Sequence, residues 1–337
     1  MKFISIISLG ILLTACSQPN IDPNLVIYTP ESDTKSEQNT SVEVDEVFKN
    51  DFNVNQLDDS KENQLIKYGY DLLKNTPKYL GPDSNNKLAG NHLACTNCHL
   101  NVGTKPYGAP WVGVVKRFPQ FKGRENDTIS IEQRINGCMM RSMNGKPIPE
   151  TSKEMKAIIA YMTWLSKDVK KDGKVKGKGF LKPEIPNRKV DLAAGKTIFE
   201  TKCASCHNVT GLGTFNNETG TYTYPPLWGD DSYNNGAGMN RVLTAMQFIK
   251  GNMPLGATFD NPLLTDDEAY DVAGFINSKQ RPVKPNLDKD FPDLKRKPVS
   301  CPYPPYEDNF SQEQHQFGPF IDIIEYYQST YGIKKTK

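Results

Sequence analysis

Two short stretches decide the fold of this chain: Cys95-Thr-Asn-Cys98-His99 and Cys203-Ala-Ser-Cys206-His207. Both follow the pattern C-x-x-C-H, in which two thiols one helical turn apart can form thioether bonds to the two vinyl groups of one haem. The histidine that follows can then bind the iron. One copy alone is also compatible with a redox dithiol or half of a zinc site. Two copies, in a chain without a further C-x-x-C or H-x-x-H pair, predict two covalently bound c-type haems.

The sequence around the two motifs repeats, which is typical of a duplicated domain. Before each motif, apolar residues at helical spacing include one glycine, Gly69 in the first copy and Gly195 in the second. This pattern predicts an N-terminal helix that another helix approaches closely. After each motif comes P-x-x-G, at residues 110–113 and 226–229, where a backbone carbonyl is available to accept the Nδ–H of the ligand histidine.

Each copy ends in an apolar stretch at helical spacing, over residues 154–166 and 266–278. These features predict an all-α chain with two class I cytochrome c-like domains, a disordered N-terminal tether and an irregular C-terminal tail that packs on the haem domains. The linker between the domains is rich in Lys, Gly and Pro, and its lysines are typical of a solvated surface, although a redox partner could bind them. The predicted segments are a lipoprotein signal peptide (1–16), the tether (17–60), the first domain (61–168), the linker (169–188), the second domain (189–281) and the tail (282–337).

The N-terminus has the features of an export signal. Lys2 precedes an apolar run over residues 3–13 that is too short to span a bilayer. The sequence Leu13-Thr14-Ala15-Cys16 then follows the pattern of a lipobox, in which the cysteine becomes the acylated first residue of the mature protein; an ordinary signal peptide is the alternative. Residues 17–60 are polar and suit a flexible tether. We therefore expect a periplasmic lipoprotein tethered to a membrane through Cys16.

The charge balance limits the classes of ligand. Lysine and arginine together number 41 against 39 acidic residues, which gives a net charge of +2. A chain this close to neutral is not expected to bind nucleic acid over a broad surface. Any anion site must therefore be local.

The second domain offers a sixth iron ligand in Met253, which stands in a loop just before Pro254. A thioether sulfur is a soft ligand that raises the potential of a haem. Met239 and Met246 are the alternatives, although both are better suited to core packing on a helix. The expected ligands of the second haem are therefore His207 and Met253.

The first domain has no methionine at the equivalent place, where Pro147 or Ile148 stands, and neither side chain can bind iron. The sixth ligand must come from elsewhere, or the position stays open. A thiolate is the strongest donor available, and iron binding keeps it deprotonated. The less specific alternatives are a methionine ligand, or a disulfide between Cys138 and Cys301. The spacing of these residues in the sequence does not decide among them. The candidate ligands are Cys138, Met139, Met140, Met143 and His92.

Three further segments carry a resemblance to a known family: RINGCMMRSMNGKPIP (134–149), KGNMP (250–254) and QHQFGPF (314–320). With the two C-x-x-C-H motifs, they resemble the dihaem thiosulfate dehydrogenase/tetrathionate reductase family of bacterial cytochromes. The resemblance extends over roughly residues 61–320. The segment that contains Cys138 is far more specific to this family than the haem motifs alone.

The resemblance implies roles for residues of both domains. His99 and Cys138 would bind the iron of the first, catalytic haem, and His207 and Met253 that of the second, electron-transferring haem. In some family members a lysine before the ligand methionine can exchange with it; here Asn252 occupies that position, so such an exchange is not expected. The residues implied to surround the substrate beside the first haem are Arg124, Arg134 and Ser142.

The implied reaction joins two thiosulfate dianions into tetrathionate and releases two electrons, or runs in reverse. The electrons would pass through the second haem to or from a soluble periplasmic cytochrome c. Two dianions ~4 Å apart repel by ~16 kcal/mol in a protein-surface dielectric, so cations must line the site. A thiolate-ligated haem also has a lower potential than a methionine-ligated one, which favours electron flow towards the second haem. The candidate cations are Arg124, Arg134, Arg141, Lys105 and Lys146.

Other interpretations of the motifs remain open at this level. A dihaem electron carrier without its own substrate would have the same haem motifs but would not need the arginine-flanked Cys138. A dihaem peroxidase is disfavoured by a strong sixth ligand in each domain. Cys138 is also a candidate nucleophile that leaves the iron and holds a thiosulfonate adduct. His92 and His315 are expected to be hydrogen-bonded structural or surface histidines, and Cys301 a free or buried thiol of the tail.

Overall fold

The computed structural model describes residues 43–336; Cys16, the signal peptide and residues 17–42 of the predicted tether lie outside the described part of the chain. In the first domain, helix α1 (Lys61–Lys74) begins after Ser60, whose hydroxyl accepts the backbone N–H of Asn63. Short 3-10 turns cover Glu46–Lys49, Val54–Gln56, Cys95–Asn97 and Val115–Arg117. The other elements are α2 (Thr76–Leu80), α3 (Leu100–Gly103), β1 (Gln120–Lys122), β2 (Asp127–Ile129), α4 (Ile131–Met139) and α5 (Lys153–Trp164).

The second domain repeats this order of elements. Its first helix, α6 (Leu192–Ile198), is capped by Asp191 and continues into a π-helical segment, Phe199–Cys203. Its last helix, α9 (Asp266–Asn277), begins with a capping box between Thr265 and Glu268. Between them lie α7 (Ala204–His207), β3 (Thr214–Asn216), β4 (Thr221–Tyr224), a 3-10 turn (Gly238–Asn240) and α8 (Val242–Asn252).

The two hairpins are the departures from a purely helical chain. Strands β1 and β2 pair antiparallel with Phe121 opposite Thr128, and β3 and β4 pair with Phe215 opposite Tyr222. Each hairpin lies between the motif histidine and the second-to-last helix of its domain, α4 or α8, and each has only three or four residues in a strand. The fold remains dominated by helices.

A glycine sits where the first and last helices of each domain cross. A Cβ added at Gly69 in α1 would lie 2.1 Å from the backbone oxygen of Ala157 in α5, and one at Gly195 in α6 would lie 2.2 Å from that of Asp271 in α9. Only a residue without a side chain fits so close to a neighbouring backbone. The predicted close approach of a second helix is therefore confirmed in both domains.

Replacing Gly195 by alanine is expected to lower the free energy of unfolding by about 2 kcal/mol, because overpacking of a tight contact costs about 1–3 kcal/mol. The matched control is Gly137→Ala in α4, where an added Cβ meets nothing nearer than 4.0 Å. At that position alanine has a higher helix propensity than glycine, so the free energy of unfolding is not expected to fall. Guanidinium unfolding followed by circular dichroism measures both variants. Equal losses of stability would contradict this account of the crossing.

The described part of the predicted tether, residues 43–60, is ordered against the first domain. Val54 is buried in the first core, and the ring of Phe52 packs edge-on against Trp164 with centroids 5.9 Å apart. The backbone N–H of Asp45 donates to the carbonyl of Lys176. The tether prediction was therefore too long at its C-terminal end, because scattered apolar residues in a polar segment are sufficient to dock it on a neighbouring core.

The C-terminal tail packs on the second domain and is less irregular than predicted. It contains α10 (Gln312–Phe317) and α11 (Ile321–Tyr331). Phe320 and Ile323 are fully buried in the second core. Within residues 43–336, no helix has the length and apolar character that crossing a membrane requires.

Candidate functional site

The first C-x-x-C-H motif holds its histidine ready for a metal. The thiols of Cys95 and Cys98 are free, and Nδ1 of His99 lies 2.6 Å from the carbonyl oxygen of Ala109. If this nitrogen donates to the carbonyl, Nε2 is left unprotonated and can bind iron. The indole of Trp111 stacks on the imidazole, with ring centroids 4.6 Å apart.

The linker positions this loop. The backbone N–H of Tyr107 donates to the carbonyl of Gly177, and that of Ala109 to the carbonyl of Gly179. Both glycines have positive φ, the conformation that glycine adopts at little cost. The linker therefore lies along the first domain, where it fixes the carbonyl that orients His99.

The second motif has the same arrangement. Nδ1 of His207 lies 2.8 Å from the carbonyl oxygen of Pro225. In both domains the accepting residue stands directly before the P-x-x-G segment, close to the place that the sequence indicated. Burial lowers the pKa of His207, although its contact with Pro225 acts in the opposite direction. The ring is therefore neutral, as an iron ligand must be.

Cys138 faces His99. It lies in the last turn of α4, which begins with a capping box between Ser130 and Gln133. Burial alone would raise the pKa of the Cys138 thiol, but the charge of Arg134, the interaction with the His99 ring and the charge of Arg124 together lower it to about 6. Burial raises the pKa of Cys95 and Cys98, and the charge of Cys138 adds to this effect for both, so the three thiols lie around one site.

The other candidate ligands of the first haem are packed in a core, hydrogen-bonded to carboxylates or exposed on the surface. Met139 and Met143 are buried in the first core. The His92 ring lies between the carboxylates of Asp231, at 3.0 Å, and Asp83, at 2.9 Å. Cys138 and Cys301 are both free thiols, and Cys301 is buried in a small cluster of the tail. Met140 is partly exposed on the surface.

The structure also distinguishes the three methionines that could be the sixth ligand of the second haem. Met253 directly follows α8 and is only half-buried, against the second core. Met246 lies within α8 and is fully buried, which indicates core packing. Met239 lies in the 3-10 turn before α8 and is packed on the same core. Among the three, Met253 is the one on a loop.

Arginines and one carboxylate lie beside the first site. Asp290, from the tail, accepts a hydrogen bond from Nη2 of Arg141 at 2.6 Å and lies 3.8 Å from Nε of Arg124. The hydroxyl of Tyr303 donates to the other carboxylate oxygen of Asp290 at 2.9 Å. Sequence reasoning missed Asp290 and Tyr303, because no local pattern marks a carboxylate that reaches a domain from the tail.

The remaining residues predicted around the substrate occupy different environments. Arg124 lies over the ring of Phe291, and burial followed by the charge of Arg141 lowers its pKa. Arg134 is exposed, and Ser142 is half-buried with its carbonyl accepting a hydrogen bond from Asn91. Lys105 donates to the carbonyl of Ala257 in the second domain, and Lys146 is exposed.

The histidines outside the motifs are hydrogen-bonded, as predicted. His315 is buried between the carbonyl of Val299 and the carboxylate of Asp308, at 2.8 and 2.9 Å. The hydroxyl of Tyr327 donates to the second oxygen of Asp308 at 2.7 Å. This network stabilises the tail, whereas His92 connects the loop before the first motif to the second domain through Asp231.

The donor sets fit two haem groups. Each site combines a pair of free thiols in C-x-x-C with a histidine whose Nδ1 is engaged by a carbonyl. The first site adds a thiol with thiolate character at Cys138, and the second offers the thioether of Met253. These are the donors that c-type haem attachment and axial ligation require.

Comparison with known proteins identifies two cytochrome c domains in the chain. Residues 84–170 match the cytochrome c domain of the SoxA/TsdA family, and residues 192–280 match the cytochrome c family. Thiosulfate dehydrogenase from Psychrobacter arcticus is 40% identical over 236 residues, which cover 70% of this chain and 69% of the relative. The enzyme of the same name from Allochromatium vinosum is 42% identical over 232 residues, which cover 67% of this chain and 82% of the relative.

A solved structure has a similar fold. The thiosulfate dehydrogenase TsdBA from Marichromatium purpuratum, in its as-isolated form, superposes with a TM-score of 0.64 at 32% sequence identity. The match covers 69% of this chain and 50% of that one, so this chain spans half of the TsdBA polypeptide.

Proposed function

This chain belongs to the thiosulfate dehydrogenase family and carries two covalently bound c-type haems. From the geometry of its first site, we propose how it interconverts thiosulfate and tetrathionate. Two thiosulfate dianions give one tetrathionate dianion and two electrons, with one sulfur–sulfur bond formed between them. The haems supply one-electron redox chemistry. Two such centres match the electron count of the reaction.

The observation that carries the proposal is the arrangement of Cys138. Its thiol faces His99 and is held towards the thiolate form by Arg134 and Arg124. We assign His99 and Cys138 as the axial ligands of the first haem, with Cys95 and Cys98 as its attachment points. A carrier without its own substrate has no need for arginines beside an axial thiolate, so this arrangement favours the enzyme over the electron-carrier alternative.

The arginines beside Cys138 suit sulfur oxyanions. Their planar guanidinium groups bind paired oxygens of sulfonate groups, and their positive charge offsets the repulsion between two dianions. We assign Arg124 and Arg134 to substrate binding, with Ser142 beside them. Arg141 is held by Asp290 at 2.6 Å, and its position in the cluster is thereby fixed.

The second haem is assigned to electron transfer, with Cys203 and Cys206 as attachment points and His207 and Met253 as ligands. The adjacent Asn252 is buried, and its amide donates to the carbonyls of Tyr107 and Phe248, both at 3.0 Å. These bonds hold the loop of Met253 against the first domain. Asn252 is therefore suited to a structural role, which argues for a fixed methionine ligand.

Export and partners complete the proposal. The C-x-x-C-H motifs require haem attachment outside the cytoplasm, so we place the protein in the periplasm, tethered through a lipid on Cys16. A soluble cytochrome c is proposed to exchange electrons with the second haem. We also propose that the Cys138 thiolate attacks a central sulfur of tetrathionate: a sulfur–sulfur bond forms at Cys138, the central sulfur–sulfur bond of tetrathionate breaks, and one thiosulfate leaves. Mass spectrometry of the Cys138 peptide from tetrathionate-treated protein would reveal the resulting thiosulfonate adduct.

A paired assay tests the proposed reaction. The dihaem protein is expected to reduce an oxidised acceptor with thiosulfate and to oxidise a low-potential donor with tetrathionate, each in proportion to enzyme. The same preparation is given hydrogen peroxide, with which no turnover is expected. Inactivity with both sulfur anions would leave the electron-carrier interpretation standing, and peroxide turnover would favour a peroxidase.

A further inference from the structure

The chain turns back directly after α4, where Cys138 lies. The carbonyl of Cys138 accepts the backbone N–H groups of Arg141 and Met143, at 3.2 and 3.0 Å. These bonds close a tight turn over residues 138–144, which we call the Cys138 turn. The place of the thiol therefore depends on what holds this turn.

A residue of the second domain holds the Cys138 turn. The backbone N–H of Asn234 donates to the carbonyl of Arg141 at 3.1 Å. The side-chain amide of Asn234 donates to the carbonyl of Met140 and to Oδ1 of Asn144, both at 3.0 Å. Asn234 is 1% exposed, so a hydrogen bond lost here would leave a buried polar group unpaired.

The contacts of Asn234 require an amide. Its side-chain oxygen accepts the backbone N–H of Gly236 at 3.1 Å, while its side-chain nitrogen donates to the Cys138 turn. An aspartate of the same shape would keep the acceptor but has no hydrogen to donate. An amide of this length therefore joins the loop of the second domain to the turn.

A second asparagine joins the same parts of the chain. Asn91 lies just before the first C-x-x-C-H motif and is fully buried. Its Nδ2 donates to the carbonyl of Ser142 at 3.0 Å and to that of Ser232 at 3.1 Å. The loop of the second domain is thus bonded both to the Cys138 turn and to the segment that enters the first haem motif.

We propose that Asn234 is a positioning residue for Cys138: it fixes the Cys138 turn so that the sulfur is placed for iron ligation. This inference rests on the assignment of Cys138 as an axial ligand under the proposed function. The electron-transferring domain then contributes to the catalytic site through hydrogen bonds to the ligand's own turn. The contact between the two domains becomes a condition for thiolate ligation.

The test compares Asn234→Asp and Asn234→Ala with the wild type in the full dihaem protein. Added imidazole competes with Cys138 for the first iron, and the loss of the thiolate signal in near-infrared MCD measures its Kd. Both variants are expected to lower this Kd about fivefold or more, because a buried hydrogen bond contributes about 1 kcal/mol to holding the turn. The midpoint potential of the first haem should rise as the thiolate bond weakens.

Asn235→Asp and Asn235→Ala are the matched controls. Asn235 is the next residue, and its Oδ1 accepts the backbone N–H of Lys284 in the tail. Aspartate at this position keeps that acceptor and adds the same charge one residue away. The imidazole Kd and the midpoint potential of both controls should stay close to wild type. If Asn234→Ala yields no dihaem protein, Asn234→Asp carries the test, because it retains the volume and the bond from Gly236.

Three results would overturn the inference. One is an imidazole Kd for the Asn234 variants within about twofold of that for the Asn235 controls. Another is a loss of thiosulfate turnover with the thiolate signal and the imidazole Kd unchanged, which would place the effect of Asn234 outside iron ligation. The third is a wild type without a thiolate signal. A wild type that shows this signal but turns over neither sulfur anion removes the proposed reaction alone, and a lowered Kd in the Asn234 variants would still support the positioning role.

Discussion

Cys138→Ser is expected to lower kcat/KM for thiosulfate by at least about 10²-fold, because loss of a partner that only orients a metal ligand already costs about 10–100-fold. A serine hydroxyl is a weaker donor than a thiolate and is not deprotonated by Arg134 and Arg124. Both haems should remain attached, because their thioether bonds come from other cysteines. The first haem should also rise in potential when the electron-rich sulfur is lost.

Spectroscopy separates this outcome from misfolding. EPR and near-infrared MCD of the wild type should show one low-spin centre with imidazole and thiolate ligands, and the variant should lack it. Cys301→Ser is the matched control, since Cys301 is a free thiol 1% exposed in the tail cluster. Its activity and spectra should stay close to wild type. A Cys138→Ser enzyme with full activity and unchanged spectra would remove the thiolate from the mechanism.

The features that the sequence predicted well are local. A haem attachment site is a pattern of five residues, so both sites could be recognised without knowing the fold. The crossing glycines Gly69 and Gly195 were recognisable because the same helical pattern occurs twice. The role of Cys138 was harder: the residues alone left several ligands open, and the resemblance favoured the thiol. Its approach to His99 and Arg134 now supplies a physical reason for that preference.

The features that the sequence did not predict depend on contacts between distant parts of the chain. Arg141 and Asp290 are 149 residues apart in sequence, and nothing around Asp290 marks it as the counter-ion of a buried arginine. The tail was predicted as irregular because it is rich in proline, yet its apolar residues were sufficient to order α11 on the second core.

Asp290→Asn is expected to lower the free energy of unfolding by about 3 kcal/mol, because removal of one partner from a buried ion pair leaves an uncompensated charge. The Asp290 side chain is 7% exposed and lies between Arg141 and Arg124. Asparagine keeps the shape and can still accept the hydrogen bond of Tyr303, so the loss measures the charge. Asp293→Asn is the matched control: it pairs with Arg296 on the same segment but is 38% exposed, and surface pairs contribute about 0–1 kcal/mol.

A double variant shows whether charge imbalance is the cause of that loss. Arg141→Met combined with Asp290→Asn removes a cation and an anion together, so it should be more stable than Asp290→Asn alone. Denaturant unfolding of the oxidised protein, followed by far-ultraviolet circular dichroism, measures four proteins: the wild type, Asp290→Asn, Arg141→Met and the double variant. If the double variant loses the sum of the single losses, the two residues act independently and the tail carboxylate does not hold the cluster. If it recovers stability, the tail contributes to the first site, since Asp290 is then what allows Arg141 to be buried there beside Arg124.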